Sequence, residues 1–258
     1  MTQDPTLRVV SLVPSWTETL ISAGVNVVGR TRFCIHPRSQ VTSIPIVGGT
    51  KNIDGEKLAA VRPDLVVLDR DENPRSLTDH LTAPWIATHI TSVSDVAREL
   101  RALHDRIGAS TLRALAERWD RTCAQLKGRS APPNLSALPG IVGWIRKPGP
   151  LVDRFLYLIW KDPWRAAGTD TFIGSVFELL GFAPRIALRE ARYPEIDLAD
   201  FDSDRTLLLF SSEPYPFHPE KDRIREMPFA SALVDGEAYS WFGIRALRFL
   251  EGCVAGRQ

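Results

Sequence analysis

Apolar residues recur at three- and four-residue steps between residues 109 and 129, at Leu112, Leu115, Ala116, Trp119, Cys123 and Leu126. That spacing predicts one long amphipathic helix, with Ser110 as N-cap and Pro132–Pro133 barring any continuation. Strand-like and helix-like patterns alternate on both sides of it. Before it, short β-branched runs predict strands at residues 8–13, 26–29, 44–47, 65–69 and 86–90. Helices are expected at 16–23, with Ser15 and Glu18 as a capping box, at 55–61 capped by Asp54, at 74–81, and at 94–107 capped by Ser94. After it, strands are expected at 141–145, 155–160, 206–210 and 232–234. Helices are expected at 171–180, stopped by Gly181, at 195–201 and at 244–254. Residues 161–170, 211–220 and 239–243 are expected to be loops, and 130–139 a linker. The turn between the strands at 141–145 and 155–160 leaves their pairing open.

Alternation at this spacing predicts an α/β fold of two Rossmann-like lobes with mainly parallel sheets, joined by one long rigid helix. The lobes are expected at residues 1–108 and 130–258, with the helix at 109–129; a surface helix on a single α/β domain is the alternative. In parallel sheets ligands meet the loops after the carboxyl ends of strands. Those loops hold Ser15–Trp16, residues 33–36, 49–52 and 70–73 in the first half. In the second half they hold Trp160, Trp164, Tyr215, Phe217, Trp241 and Phe242.

The chain has 258 residues, 44% of them hydrophobic, enough for a sizeable core. Formal net charge is +1 and basic residues are scattered among acids, which gives no electrostatic case for nucleic acid. The longest apolar runs are strand-sized, so no membrane insertion is expected. Residues 1–15 lack the pattern of a secretory leader, which predicts a cytoplasmic protein, or a periplasmic one whose leader has been lost. Cys34, Cys123 and Cys253 are odd in number and far apart, against a disulfide framework or a zinc knuckle.

No G-x-S-x-G, H-E-x-x-H or P-loop is present, so no catalytic residues are assigned. The aromatics beside Pro, Gly, Ser and charged residues in loops, namely Trp16, Phe33, Trp160, Trp164 and Trp241, suit a large planar ligand if they line one cleft. Cys34 and His36 are weak metal-ligand candidates, because spacing supplies no third ligand.

The segments RVVSLVPSWTETLISAGVNVVGRTRFCIHP and VGGTKNIDGEKLAAVRPDLVVLD resemble the first lobe of the substrate-binding proteins of cobalamin, haem and iron–siderophore ABC transporters. WKDPWRAAGTDTFIGSVFELLGF and SWFGIRALRFL resemble second-lobe pieces of that family. The resemblance implies a helical-backbone, two-lobe binding protein that is not an enzyme and has no intrinsic cofactor. Its ligand would be a metal chelate, a corrinoid such as cobalamin first and a ferric siderophore or haem next. It further implies a ligand site from Trp16, Phe33, His36, Thr50, Lys51, Trp160, Trp164, Trp241, Phe242 and Arg245. A monomer that delivers to an ABC permease is expected, docking through Glu72, Glu213 or Glu220; Arg75 stands where the family has its first-lobe docking glutamate. The alternatives are a chelatase or cofactor-modifying enzyme using His36, Cys34 or Glu213, and a cytoplasmic carrier or sensor.

Overall fold

The computed structural model describes residues 7–128 and 134–256. Two compact units divide the chain: one of residues 1–90, 94–121 and 242–247, the other of residues 91–93, 122–241 and 248–258. Arg129 and the first part of the expected linker, residues 130–133, lie outside the described residues.

The first unit is built on a five-stranded, all-parallel sheet. Its strands are β1 (Val9–Ser11), β2 (Val27–Thr31), β3 (Ile46–Gly48), β4 (Leu65–Asp69) and β5 (Trp85–Thr88), in the order β3-β2-β1-β4-β5. The helices are α1 (Pro14–Ser22), the single turn α2 (Arg38–Val41), α3 (Gly55–Ala60) and α4 (Val93–Ile107), whose first residue belongs to the second unit, with a 3-10 helix at Arg75–His80. β4 is buried along its whole length at the middle of the sheet, as its unbroken apolar run predicts. One face of the sheet packs Val10, Leu12, Val47, Val66 and Leu68 against Leu58 and Val61 around α3. Asp54 caps α3 as expected, accepting the Lys57 N–H at 3.1 Å.

The capping box expected at Ser15 and Glu18 does not form. Pro14, with its fixed φ and no N–H to lose, occupies the first turn, and Ser15 lies inside the helix. Glu18 is drawn off by a distant arginine described below. Gly24 sits at φ +76° just beyond α1, a conformation that costs other residues a Cβ clash.

The 17-residue α5 (Ser110–Leu126) carries the chain from the first unit into the second, the division falling between Arg121 and Thr122. At 1.5 Å per residue it is about 25 Å long. Of the predicted stripe, Leu112, Leu115, Ala116, Trp119 and Leu126 are buried and Cys123 is half-buried.

The second unit also has five strands, β6 (Ile141–Arg146), β7 (Arg154–Trp160), β8 (Arg165–Ala167), β9 (Thr206–Ser211) and β10 (Ala230–Val234), in the order β6-β10-β9-β7-β8. Only β10, β9 and β7 are mutually parallel; β6 and β8 are antiparallel edges. β6 and β7 are therefore neither a hairpin nor neighbours. The helices are α6 (Phe172–Leu179), α7 (Lys221–Glu226), α8 (Gly236–Ser240) and α9 (Ile244–Val254). Thr171 caps α6 through its hydroxyl, which accepts the Gly174 N–H at 2.9 Å. β8 and the end of α8 arise where loops were expected, and α7 in a stretch for which no element was expected. The helix expected at 195–201 shrinks to a 3-10 turn at Leu198–Asp200, capped by Asp197. Among the described residues no helix is long and apolar enough to cross a membrane.

Candidate functional site

In the first unit the carboxyl ends of the strands meet a set of loops whose inward residues are polar and saturated. The guanidinium of buried Arg30 donates to the carbonyls of Val41 (2.8 Å), Thr31 and Cys34 (both 3.2 Å). Three main-chain acceptors on one rigid fork fix the path of the loop after β2. The Cys34 thiol turns inward and meets the hydroxyls of Thr17 (3.0 Å) and Thr31 (3.1 Å). Burial pushes this thiol above its ordinary pKa, against the opposing pull of those hydroxyls and of Arg30. Cys34 thus offers no thiolate at the surface, and its place as a metal candidate is lost. Among the described residues no cluster of three or more His, Cys, Asp or Glu could hold a metal ion.

With Cys34 inside, its neighbours point out. Phe33 is 49% exposed and Ile35 is 41% exposed. The Arg32 guanidinium lies 5.2 Å from the centroid of the Phe33 ring, a cation–π contact. The loop after β3 comes alongside: a Cβ on Gly49 would stand 3.2 Å from Arg32 Nη2 and 3.5 Å from Phe33 Cε2. Gly48, at φ +141°, allows the tight turn; a Cβ there would stand 2.6 Å from the Asn52 carbonyl. Thr50 and exposed Lys51 form the tip of this turn.

Asn73 ties three strand ends together. Its Oδ1 accepts the Asp69 N–H at the end of β4 (2.9 Å), and its Nδ2 donates to the carbonyls of Thr50 (2.9 Å) and Leu12 (3.4 Å). Beside it, Asp69 is buried and accepts from the Thr88 hydroxyl at 2.7 Å, while Thr88 accepts the Trp16 indole N–H at 2.8 Å. Burial holds the Asp69 carboxyl above the ordinary carboxylate range. Glu72 is half-buried and raised likewise, first by burial and then by Asp69, with Lys51 opposing.

Of the other first-unit candidates, Trp16 and Phe242 are core residues, and Arg245 and His36 are half-buried. Trp16 is fully buried, its indole edge-on to Phe242 at 5.1 Å. Arg245 donates Nε and Nη2 to the two oxygens of buried Glu18, at 2.8 and 2.9 Å, a bidentate pair. The Thr19 hydroxyl accepts the Ile244 N–H at 3.0 Å beside it. These contacts dock the start of α9 on α1, so Trp16 and Phe242, expected at the ligand site, are buried in the packing, and the Arg245 guanidinium is held by Glu18. His36 is half-buried in the β2 loop.

In the second unit the aromatics gather at the carboxyl ends of β7 and β9. Trp160 is 43% exposed and meets Tyr215 edge-on at 5.5 Å. Tyr215 leans on Phe217 at 4.6 Å, and Trp164 stacks on Phe217 at 6.1 Å. The Tyr215 hydroxyl donates to Glu220 at 3.2 Å, and Lys161 pairs with the same carboxylate at 2.9 Å. Lys161 first, then Tyr215, holds the Glu220 carboxyl below its usual range. Glu220 is therefore engaged within its own unit, and Glu213 is half-buried. Trp241 is buried and follows α8.

The structure thus brings together Phe33, Thr50 and Lys51 in one unit and Trp160 and Trp164 in the other. Sequence reasoning missed Arg32 and Asn73. Arg32 carried a signal, as the residue before an aromatic in a strand-end loop; Asn73 carried none, because its partners lie on three separate segments.

The chain thus holds two five-stranded α/β sheets, strand-end loops that present aromatics, and one long helix passing from unit to unit. Residues 9–127 match the model of the periplasmic binding protein family. The chain is 31% identical over 101 residues to the vitamin B12-binding protein of Salmonella typhimurium; the match spans 37% of this chain and 38% of that protein. The fold is similar to that of the periplasmic vitamin B12-binding protein of Vibrio cholerae (TM-score 0.65, 16% identity, 97% of this chain and 96% of that one). It is also similar to the periplasmic heme-binding protein of Roseiflexus sp. RS-1 (TM-score 0.71, 16% identity, 98% of both chains).

Proposed function

We propose that this protein is a substrate-binding protein for a planar metal chelate, a corrinoid first and haem or a ferric siderophore next. The observation that carries the reading is Phe33: a half-exposed aromatic under the Arg32 guanidinium, beside the loop that carries Lys51, at the carboxyl end of a parallel sheet whose loops are fixed from beneath. The relatives' vitamin B12 binding and heme binding support it. An aromatic face would stack on a macrocycle, and Arg32 and Lys51 would meet its carboxylate or phosphate substituents. Trp160 would supply a second stacking surface. In this reading the protein catalyses no reaction, works in the periplasm and hands its ligand to an ABC permease. Acidic docking through Glu220 would compete with Lys161 and Tyr215, and docking through Glu72 with its burial beside Asp69.

The test is a titration with cobalamin, cobinamide, haem and two ferric siderophores, followed by visible absorbance and thermal shift. A ligand at a hundredfold over its dissociation constant stabilises by about 2.7 kcal/mol, a shift of several degrees. One chelate should bind, and Phe33→Ala should weaken it at least about tenfold, the worth of one good aromatic contact. Binding unaffected by both Phe33→Ala and Trp160→Ala would refute this site, and no binding by any chelate would refute the ligand class.

A further inference from the structure

One edge of the first sheet carries a different chemistry. A cavity of about 560 Å³ lies between β4, β5 and the 3-10 helix at Arg75–His80. Leu68 and Ala87 give it an apolar floor, and Arg70, Arg75, Asp79 and Trp85 line it. We propose that this cavity binds a small aromatic carboxylic acid, of one or two rings, that carries a hydroxyl or amino donor.

Trp85 argues for the ring. It opens β5, the edge strand of the sheet, and is 44% exposed. Side chains alternate along a strand, so Trp85 and Ala87 lie on one face. Ala87 packs there against the core cluster that includes Val66 and Leu68. Phe33, Tyr193 and Trp160 are the other exposed aromatics among the described residues. They rest against Arg32, Arg192 and Tyr215. Trp85 meets neither a ring nor a cation among the described residues. An open indole beside an apolar floor favours a flat ring over a branched chain.

The charges argue for the substituents. Two guanidiniums and two carboxylates line the cavity, and they are not equivalent. Asp69 is buried and taken: it accepts from the Thr88 hydroxyl at 2.7 Å and from the Asp71 N–H at 3.0 Å. Thr78 spends its hydroxyl on the Arg75 carbonyl at 2.7 Å. Arg70, Arg75 and Asp79 are exposed, and among the described residues none of their side chains is held in a hydrogen bond or ion pair. Two free forks and one free carboxylate thus border one cavity. A guanidinium fork matches a carboxylate two oxygens at a time. Asp79 accepts from a hydroxyl or amino group on the same ring.

Size and place are the remaining argument. The volume lies in the range of small-molecule sites. Phe33 follows β2, which stands three strands from β5, or about 14 Å across the sheet. The cavity is therefore separate from the surface assigned to the chelate, and the proposal does not rest on that assignment.

The test is calorimetric titration of the full chain with 4-hydroxybenzoate, benzoate and cyclohexanecarboxylate. Saturable one-to-one binding of 4-hydroxybenzoate is expected. Arg70→Gln/Arg75→Gln should weaken it at least about tenfold, as one charge-assisted pair is worth. Trp85→Leu should weaken it roughly three- to tenfold, the worth of one aromatic contact, and should abolish the preference over cyclohexanecarboxylate. Asp79→Ala should bring 4-hydroxybenzoate and benzoate to equal affinity. These positions are exposed, and Arg70→Gln and Arg75→Gln singly repeat the comparison if the double variant misfolds. No saturable binding of either aromatic acid, or unchanged affinity in the arginine and Trp85 variants, overturns the site. Cyclohexanecarboxylate bound as tightly as 4-hydroxybenzoate overturns the assignment of a ring. Chelate binding should be unchanged in all the variants, so this failure and failure of the chelate reading are told apart. A chelate weakened by Trp85→Leu would overturn the separation of the two sites.

Discussion

Replacing Asn73 by alanine removes three side-chain hydrogen bonds from a residue only 5% exposed. The Asp69 N–H loses its acceptor at a fully buried strand end, and that loss costs about 1–3 kcal/mol. The Leu12 and Thr50 carbonyls lose a donor. Water can reach Thr50, which is half-buried, so its share is smaller. The sum predicts a destabilisation of roughly 2–4 kcal/mol. Urea unfolding followed by far-ultraviolet circular dichroism measures it, and hydrogen exchange localises it, with protection falling first at the Gly49 N–H that closes the β3 turn on Asn52. Asn73→Asp keeps the acceptor but loses both donors and sets a carboxylate beside Asp69 and Glu72. It should cost more than Asn73→Ala at neutral pH. A change under about 0.5 kcal/mol in both variants, the scale of an ordinary surface substitution, would show that Asn73 does not organise these strand ends.

Three further outcomes follow from the same geometry. Arg245→Met strips a buried carboxylate of its bidentate partner and should cost about 3–5 kcal/mol, whereas Glu18→Gln leaves a partly exposed guanidinium and a neutral acceptor and should cost about 1–2 kcal/mol; equal costs in urea unfolding would contradict this asymmetry. Cys34 should resist thiol-reactive disulfide reagents in the native protein and react only as the chain unfolds, checked by peptide mapping after timed labelling. Because burial raises Asp69 in the folded state, folding takes up a proton there. Its stabilising effect is present at acid pH and is lost as pH rises through the elevated value. Asp69→Asn should remove that component, so a pH–stability curve identical to the wild type's would count against it.

Much of the fold was legible because it rests on periodicity. β4, α5 and α9 follow from unbroken apolar runs or stripes. The misses have physical causes. β8 is three residues long, and its pairing with β7 is set by a turn rich in charged and aromatic residues. α7 and α8 are single-turn elements next to proline and aromatic clusters, where local propensity says little. The Ser15–Glu18 box failed because its glutamate is claimed by an arginine 227 residues away, which no local pattern reveals. The site divides likewise. Phe33 stood out as an aromatic in a polar strand-end loop. Trp16, Trp241 and Phe242 looked the same in sequence and are buried, because burial is a property of the tertiary partners and not of the flanking residues.

The loops of the first unit separate two roles that sequence alone merges. Arg30, Thr17, Cys34, Asn73 and Thr88 face inward and are hydrogen-bonded to main chain or to one another. Phe33, Ile35 and Lys51 face outward on the same segments. A saturated polar underside fixes the outer residues before any ligand arrives, so little ordering entropy is lost on binding. Substitutions on the two sides should therefore have opposite signatures. Phe33→Ala should lower affinity with little change in stability, and Asn73→Ala should lower stability first and affinity only through the loosened loop. If cooling or a stabilising osmolyte restores affinity to Asn73→Ala but not to Phe33→Ala, the preorganised loop is the unit of function. If neither or both recover, the inner network and the outer surface are not linked in this way.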